Sequence, residues 1–304
     1  MGRHNSQKGS SLKTAVTIGN FDGVHRGHVY LLENFKKLAE ACGLEPVVLS
    51  FYGHPRVFKE APPLKYLLTT PDERKKLIHK IGIERIEFVK LDRKTMEMTP
   101  VEFIRSVLID KYNMEMLFMG FNHHFGRNRE GTPQHVAGLV SKCSFSLVVM
   151  PPFVVNDTVV SSTLIRNLLK EGKVEDARSF LGREYRICGK VVKGKKVAGS
   201  ILGIRTANVE LSPLKLIPAS GTYAVWVDTP LGTFPGALYI GDSPTIKNEF
   251  SFEVHIIDFE EEIYDKEICV RFVKRIRDNM RFENIELLRK AILKDIEVAR
   301  KLLK

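Results

Sequence analysis

Long apolar runs and a secretory signal are both missing from this sequence. Its longest apolar stretches, such as FSLVVM at residues 145–150, fall well short of the roughly 20 residues that a membrane helix needs. The polar start MGRHNSQKGSSLK has no apolar core of the kind that a signal peptide carries. We therefore expect a flexible tail over residues 1–14 and a cytoplasmic protein without a membrane partner.

Closely spaced cysteines are missing as well. The four cysteines form no CxxC pair and lie beside no histidine cluster, so the sequence indicates neither a disulfide framework nor a zinc site. We expect reduced, buried thiols at all four positions. They are Cys42, Cys143, Cys188 and Cys269.

Basic residues outnumber acidic ones, 47 to 36, which gives a formal net charge of +11. Such an excess suits a nucleic-acid partner, anionic small molecules or a solvated lysine-rich surface. The basic residues are spread along the chain, and the patches are short, as at residues 193–196 (KGKK). Proteins that follow a nucleic-acid backbone are expected to have denser basic clusters with interleaved aromatic residues. The distribution therefore favours a main role other than nucleic-acid binding.

The first half of the chain alternates strand and helix patterns. A chain of 304 residues favours two domains. Alternation with helices of this length is typical of a parallel sheet covered on both faces, which predicts a Rossmann-like α/β domain over residues 15–183. The predicted strands are 15–18, 46–51, 86–91, 116–120 and 145–150, and the predicted helices are 29–42, 71–81, 100–112, 135–140, 161–171 and 174–181.

The pattern changes after Gly182. Short β-rich runs such as YRICGKVV, GTYAVWV and FEVHIIDF are separated by turn residues, and no helical periodicity interrupts them up to residue 272. Residues 285–303 form an amphipathic helix that is expected to pack its Leu/Ile face on these strands. The sequence therefore predicts an antiparallel β-barrel with a C-terminal helix over residues 184–304.

The segment TIGNFDGVHRGH, at residues 17–28, lies between a predicted strand and a predicted helix. A glycine turn in that place presents backbone N–H groups at the positive end of the helix dipole. Its spacing matches neither GxGxxG nor a Walker loop. His25 and His28, three apart near the helix start, lie close to one face and can both donate to phosphate oxygens. The segment predicts a phosphate site, and the alternative is a helix-capping turn with two incidental surface histidines.

The whole chain resembles a known family. GNFDGVHRGH resembles the HxGH signature of the nucleotidyltransferase superfamily, in the form that is similar to bacterial bifunctional riboflavin kinase/FMN adenylyltransferases. GFNHHFGRNREG at 120–131 and VSSTLIRNLL at 160–169 also resemble that family's first domain. The second half resembles its kinase domain in ordered segments, among them GKVVKGKKVAGSILGIRTANVEL, SPT, FEVHIIDF and VRFVKRIRDNMRF.

For the first domain, the resemblance implies that AMP passes from ATP to FMN and that pyrophosphate leaves. The FMN phosphate attacks the α-phosphorus, so the protein positions the substrates and stabilises charge. The resemblance assigns this charge stabilisation to His25 and His28, and contact with the nucleotide or the flavin phosphate to Asn122. The implied ATP and phosphate ligands are Gly19, Asn20, Phe21, Asp22, Gly23, Ser162, Thr163 and Arg166.

For the second domain, the resemblance implies the phosphorylation of riboflavin. Thr206 and Asn208, two apart in an extended segment, face the same way and would hold Mg²⁺ or ATP phosphates. Glu253 would accept the proton of the ribityl hydroxyl that attacks the γ-phosphate. Taken alone, Thr-x-Asn is more typical of a turn cap, and the resemblance reverses that weighting. The implied partners are the small molecules ATP, riboflavin and FMN.

Several positions depart from the family pattern. Arg205 replaces a proline beside the implied metal ligands, Ser200 replaces a frequent arginine, and Tyr239 stands where an asparagine is common. In the first domain, His123 stands where the family more often has an aromatic residue, and Val159 stands where it commonly has an arginine. His123 and His124 are adjacent in an extended stretch, so they point to opposite faces and make a poor metal-chelating pair.

Three alternatives are open, of which the departures bear on the first. One is an FMN adenylyltransferase with a degenerate kinase domain. Another is a nucleotidyltransferase that acts on a different phosphate or phosphoalcohol. The third is a basic protein that binds nucleic acid and has no need of the HxGH segment.

Overall fold

The protein is described by a computed structural model, which covers residues 12–52, 66–89, 92–193, 203–242 and 250–304. The chain divides into two compact units. The first comprises Met1–Ala61 and Thr69–Val160, and the second comprises Pro62–Leu68 and Ser161–Lys304. The domain boundary at residues 183 and 184 stays a prediction.

A five-stranded parallel sheet forms the centre of the first unit, in the order β3-β2-β1-β4-β5. All five strands were predicted, because each is an apolar run of the length that a strand covered on both faces needs. The strands are β1 (Thr14–Ile18), β2 (Glu45–Phe51), β3 (Arg85–Val89), β4 (Met114–Gly120) and β5 (Ser146–Met150).

Helices cover both faces of this sheet, which confirms the predicted class. The helical segments are α1 (Arg26–Ala41), α2 (Pro71–His79), α3 (Arg93–Glu97), α4 (Pro100–Glu102), a π-helical stretch (Phe103–Ile109), α5 (Asp110–Tyr112), a 3₁₀ turn (Arg127–Arg129), α6 (Pro133–Ala137) and α7 (Val140–Cys143). Leu32 and Phe35 of α1 pack in one core with Phe118 of β4, whereas Ile104 and Leu108 pack in the other with Leu117. Adjacent residues of β4 therefore face opposite cores.

The strand order makes the end of β1 the switch point of the sheet. The chain runs outward from β1 to β2 and β3, then crosses back to β4 on the other side of β1. Ligands of open α/β sheets bind at such a switch point, beyond the carboxyl ends of the strands. Residues 19–25 follow β1 there and residues 121–124 follow β4. The fold thus brings two of the predicted site segments to one edge of the sheet.

The second unit contains a closed antiparallel barrel in the order β10-β11-β12-β9-β8-β13. Inward side chains such as Val254 and Phe272 are buried, and along β12 and β13 they alternate with outward, mostly polar residues. The barrel strands are β8 (Tyr185–Val192), β9 (Ala207–Leu211), β10 (Gly221–Thr229), β11 (Gly232–Asp242), β12 (Phe250–Ile256) and β13 (Glu267–Arg277). The short hairpin β6 (Val154–Val155) and β7 (Thr158–Val159) belongs to the first unit.

Three helices complete the second unit: α8 (Ser162–Lys170), α9 (Val174–Leu181) and the C-terminal helix Ile285–Leu302. Ala299 and Leu303 pack against Ala224 and Ala237 on the outer face of the barrel, which confirms the predicted contact of this helix. Its buried Asp295 also accepts three hydrogen bonds from the guanidinium of Arg277 at distances of 2.8 to 3.1 Å. Among the described residues, no helix is both long and apolar enough to span a bilayer.

The expectation of four reduced, buried thiols is wrong. Cys188 on β8 and Cys269 on β13 are directly opposite in the barrel and form a disulfide, although 81 residues separate them. Cys42 is exposed and Cys143 is half-buried. Spacing along the chain carries no information about the partner strand, so the sequence could not predict this pair.

Candidate active sites

We call residues 19–25 the glycine turn, since they connect β1 to α1. Phe21, Gly23 and Val24 adopt positive φ angles of 45°, 87° and 36°. Glycine tolerates that region, but for Phe21 and Val24 it costs on the order of 1–3 kcal/mol each and persists only where the surroundings enforce it. A strained backbone of this kind is typical of a functional site.

His25 and His28 lie at the start of α1, which begins three residues earlier than the sequence predicts because His25 caps it. The backbone N–H of His28 donates to Nδ1 of His25 at 3.3 Å, and the two rings stack with centroids 3.6 Å apart. Because Nδ1 of His25 accepts, the neutral ring carries its proton on Nε2. The structure therefore brings both histidines together at the positive end of a 16-residue helix.

Asp22, the acidic residue of the glycine turn, stabilises the turn through hydrogen bonds to Thr69. Asp22 is only 1% exposed and accepts hydrogen bonds from the backbone N–H of Thr69 (2.8 Å) and from its hydroxyl (3.1 Å). The same hydroxyl oxygen accepts from the N–H of Gly23 at 2.9 Å. Asp22 thus shapes the turn from inside, and the sequence prediction of a direct phosphate contact at this residue stays a prediction.

The remaining turn residues are tightly packed. The amide of Gly19 donates to the carbonyl of Leu49 at 3.0 Å, and a Cβ at this glycine would lie 2.9 Å from the ring of Phe21. Phe21 is buried and meets the ring of His28 edge-on, with centroids 5.3 Å apart. Asn20 accepts a hydrogen bond from Arg74 through its Oδ1. The turn therefore requires glycine at residue 19 for close packing.

Asn122 and His123 follow β4 at the same edge of the sheet. Asn122 is exposed, and its carbonyl is 2.9 Å from Nδ1 of His124. Burial of the His123 ring, together with the neighbouring His124, lowers the pKa of His123 to about 4. Burial and the charge of Arg129 also lower the pKa of His124. Both rings are therefore mainly neutral at pH 7.

Ser162, Thr163 and Arg166 belong to α8 of the second unit. Ser161 caps this helix by accepting from the N–H of Leu164, so Ser162 and Thr163 lie in its first turn, as predicted. Arg166 is buried, donates through Nε to the carbonyl of Tyr66 at 3.0 Å and lies over the Tyr66 ring at 4.0 Å. A role of these three side chains in phosphate binding stays a prediction.

A second polar group lies on the outer face of the barrel. Glu253 of β12 is opposite Asn208 of β9, and the hydroxyl of Thr206 donates to its carboxylate at 3.3 Å. All three residues are half-buried. The structure thus brings together the three residues predicted for the kinase reaction. Each offers an oxygen atom, the type of ligand that Mg²⁺ prefers.

Two of the positions that depart from the family pattern, Arg205 and Tyr239, lie beside this group. Arg205 is exposed and directs its guanidinium to the carbonyl of Glu260, at 3.1 Å, while its own carbonyl is 2.8 Å from Nδ1 of His255. Tyr239 is opposite Glu253 on β11 and its hydroxyl donates to Asn279 at 3.1 Å. Ser200 lies outside the described residues, and Val159 is exposed on β7.

Sequence reasoning missed several residues that support the sites. Arg74 and Thr69 hold the glycine turn from about 50 positions away, and His255 holds the segment that carries Thr206. One signal was present for Arg74: it lies four residues before the buried Ile78, and thus on the buried face of α2. No sequence pattern indicated Thr69 or His255.

The fold and the two polar groups define a class: an α/β nucleotide-site unit and a β-barrel unit in a single chain. Two family models match the chain in the same order as the two units: FAD synthetase over residues 7–164 and riboflavin kinase over residues 181–303. The chain belongs to the bifunctional riboflavin kinase/FMN adenylyltransferase family.

Relatives with that name cover almost the whole chain. The enzyme of Pseudomonas fluorescens is 32% identical over 94% of this chain and 92% of its own. That of Buchnera aphidicola is 33% identical over 99% and 97%. A crystal structure of a Streptococcus pneumoniae protein, named a macrolide-efflux protein, is 28% identical, covers 96% of this chain and 95% of its own, and has a TM-score of 0.84.

Proposed function

We propose that the second unit, which we call the barrel unit, phosphorylates riboflavin to FMN. The first unit, which we call the sheet unit, is proposed to transfer AMP from ATP to FMN, which yields FAD and pyrophosphate. The observation that carries the proposal is that each unit contains a separate cluster of polar side chains that contact one another. His25 and His28 stack at the start of α1, and Thr206 bonds to Glu253 beside Asn208. The family match over both units supports the assignment of the two reactions.

In the sheet unit, the chemistry is displacement at phosphorus. An oxygen of the FMN phosphate attacks the α-phosphorus of ATP, the bond to the β-phosphate oxygen breaks, and pyrophosphate leaves. Nε2–H of His25 and the ring of His28 donate to the charge that develops on the phosphate oxygens, assisted by the dipole of α1. Asn122 is proposed to contact the nucleotide or the flavin phosphate. A phosphate-binding role is also proposed for Ser162, Thr163 and Arg166, at the start of α8.

In the barrel unit, Glu253 accepts the proton of the ribityl hydroxyl as that oxygen attacks the γ-phosphorus, and ADP leaves. Thr206 and Asn208 are proposed to hold Mg²⁺, which the oxygen donors fit. When bound, the ion offsets the negative charge of the phosphates. The hydrogen bond from Thr206 to Glu253 supports these roles, because it joins a proposed metal ligand to the proposed base.

The position of Arg205 gives no support to the alternative that the kinase domain is degenerate. Its guanidinium is engaged by the carbonyl of Glu260, and neighbouring side chains of an extended segment point to opposite faces. The cation is thus directed away from the group formed by Thr206, Asn208 and Glu253. Tyr239 likewise bonds to Asn279.

The test of this function is product analysis. Purified protein is incubated with Mg²⁺-ATP and either riboflavin or FMN, and the flavins are separated by chromatography. We expect FMN followed by FAD from riboflavin, and FAD from FMN. FAD from FMN but no FMN from riboflavin would show a degenerate barrel unit, and the absence of both products would refute the proposal. The predicted cytoplasmic location and the absence of a nucleic-acid partner stay predictions.

A further inference from the structure

Arg74 is a fully buried cation beside the glycine turn. It lies in α2, and its side chain has 0% exposure to solvent. Burying a guanidinium is costly unless its donors are satisfied and its charge is paired. Here Nη1 donates to the hydroxyl of Ser50 and to the carbonyl of Phe51, both at 2.9 Å, at the carboxyl end of β2. The cation is therefore anchored to the rigid sheet.

The same guanidinium fixes the side chain of Asn20 in the turn. Nη1 of Arg74 donates to Oδ1 of Asn20 at 3.2 Å. A guanidinium only donates, so this bond settles which end of the Asn20 amide faces Arg74 and turns Nδ2 the other way. Nδ2 of Asn20 is buried without an acceptor among the residues that the structure describes. The amide donor is thus held in one orientation within the turn.

A second connection runs from Arg74 to the backbone of the turn. Nη2 of Arg74 lies 3.9 Å from Oδ1 of Asp22, and the two side chains form a buried ion pair. Asp22 accepts from the hydroxyl of Thr69, whose oxygen accepts in turn from the N–H of Gly23. Nη2 also donates to the carbonyl of Thr69 at 3.4 Å. Arg74 therefore contacts both residues, Asp22 and Thr69, through which the N–H of Gly23 is held.

We propose that Arg74 is a positioning residue for adenylyl transfer: it holds Asn20, and through Asp22 and Thr69 the Gly23 amide, in the arrangement that receives the phosphates of ATP. The inference rests on the proposed function of the sheet unit. A turn with positive φ at two non-glycine residues does not keep its shape unaided, and the buried pair supplies the constraint.

The test compares Arg74→Met with a matched control, Arg85→Met, in the full-length protein. Arg85 lies in the same unit, on β3, and its guanidinium bonds to the carboxylates of Glu45 and Glu87 rather than to the glycine turn. The measurements are steady-state FAD formation from FMN, FMN formation from riboflavin as an internal control, inhibition by added pyrophosphate and the thermal unfolding temperature.

We expect Arg74→Met to lower kcat/KM for ATP in FAD formation by about 30- to 100-fold, because a displaced donor loses its effect on the transition state. The KM for ATP and the pyrophosphate concentration needed for inhibition rise, whereas the KM for FMN and riboflavin phosphorylation stay unchanged. Arg85→Met stays within about threefold of the parent protein, since only stability is affected. Equal activity losses in the two variants at equal losses of unfolding temperature would overturn the proposal.

Thr69→Val provides a second variant that leaves the Arg74–Asp22 pair intact and removes the acceptor of the Gly23 N–H. We expect about a tenfold loss, and the double variant to be no more than about twofold worse than Arg74→Met, because both act through the same turn. Losses that multiply would contradict a common relay. If Arg74→Met does not fold, Thr69→Val and Arg74→Lys carry the test, and parent-like ATP kinetics in both would overturn it.

His25→Ala separates this inference from the function on which it rests. Parent-like FAD formation by His25→Ala would show that the proposed site itself is wrong. Loss of FAD formation by His25→Ala with parent-like kinetics of Arg74→Met and Thr69→Val would refute only the positioning role.

Discussion

The two candidate sites differ in the structural element that positions their polar atoms. The first is a turn whose backbone adopts strained angles and is held by side chains from α2 and the segment before it. The second is a strand face on which pairing between β12 and β9 sets Glu253 opposite Asn208. A ladder of backbone hydrogen bonds orders a strand face without help, whereas a turn needs a buried network. The first site should therefore be sensitive to residues remote from the substrate, and the second chiefly to its own side chains.

The largest effect is expected from Glu253→Gln in the second site. Gln still accepts the hydrogen bond of Thr206 but does not take up a proton at neutral pH, so the change removes the base and keeps the geometry. Loss of a general base lowers the rate by about 10²- to 10⁴-fold. The rate of FMN formation from riboflavin measures this loss, and FAD formation from FMN is the control. A kinase rate within threefold of the parent would show that Glu253 is not the base.

His25→Ala is the corresponding change in the first site. It removes a donor to developing charge and also the cap of α1. Losing one such donor costs roughly 2.7–4 kcal/mol in the barrier, so FAD formation should slow by about a hundredfold or more. His25→Asn restores the helix cap without the Nε2–H donor and should remain slow. Recovery of full activity in His25→Asn would show that capping, and not donation to phosphate, is the role of His25.

A smaller effect is expected from His255, which contacts the backbone next to Thr206. A carbonyl oxygen only accepts, so Nδ1 of His255 carries the proton in this contact. His255→Leu removes the donor and should raise the KM for ATP in riboflavin phosphorylation by about tenfold, through a displaced Thr206. His255→Asn keeps a donor at a similar place and should stay within about threefold. Equal losses in both variants would contradict this account, as would unchanged kinetics of His255→Leu.

The smallest effect concerns the acid stability of the sheet unit. A histidine whose pKa falls on folding, as that of His123 does to about 4, binds fewer protons when folded than when unfolded. Its contribution to stability is complete above the unfolded pKa of about 6.5 and decreases as the pH falls from there towards 4, by about 1–3 kcal/mol in total. His123→Phe should remove this part of the acid destabilisation, measured as unfolding temperature between pH 7 and pH 4. The exposed His135 provides the control variant, His135→Gln. An unchanged pH dependence in His123→Phe would show that His123 is not buried in solution.

Much of this arrangement could be predicted from local patterns. Apolar runs and helical spacing give the sheet and the barrel, and HxGH after a strand gives the first site. The start of α1 was placed too late, because His25 is not a usual cap residue. The Cys188–Cys269 pair, the buried position of Arg74 and the contacts of Thr69 depend on residues that are 23 to 81 positions apart. No local pattern encodes such contacts, since they follow from strand pairing and from the way α2 packs on the sheet.

The two sites are proposed to act in sequence on one flavin, and mixing two variants tests this most directly. His25→Ala and Glu253→Gln are each incubated with riboflavin and Mg²⁺-ATP, alone and together, and FAD is measured. We expect His25→Ala alone to accumulate FMN, Glu253→Gln alone to leave riboflavin unchanged, and the mixture to form FAD. FAD formation at the parent rate by either variant alone, or none in the mixture, would contradict the account.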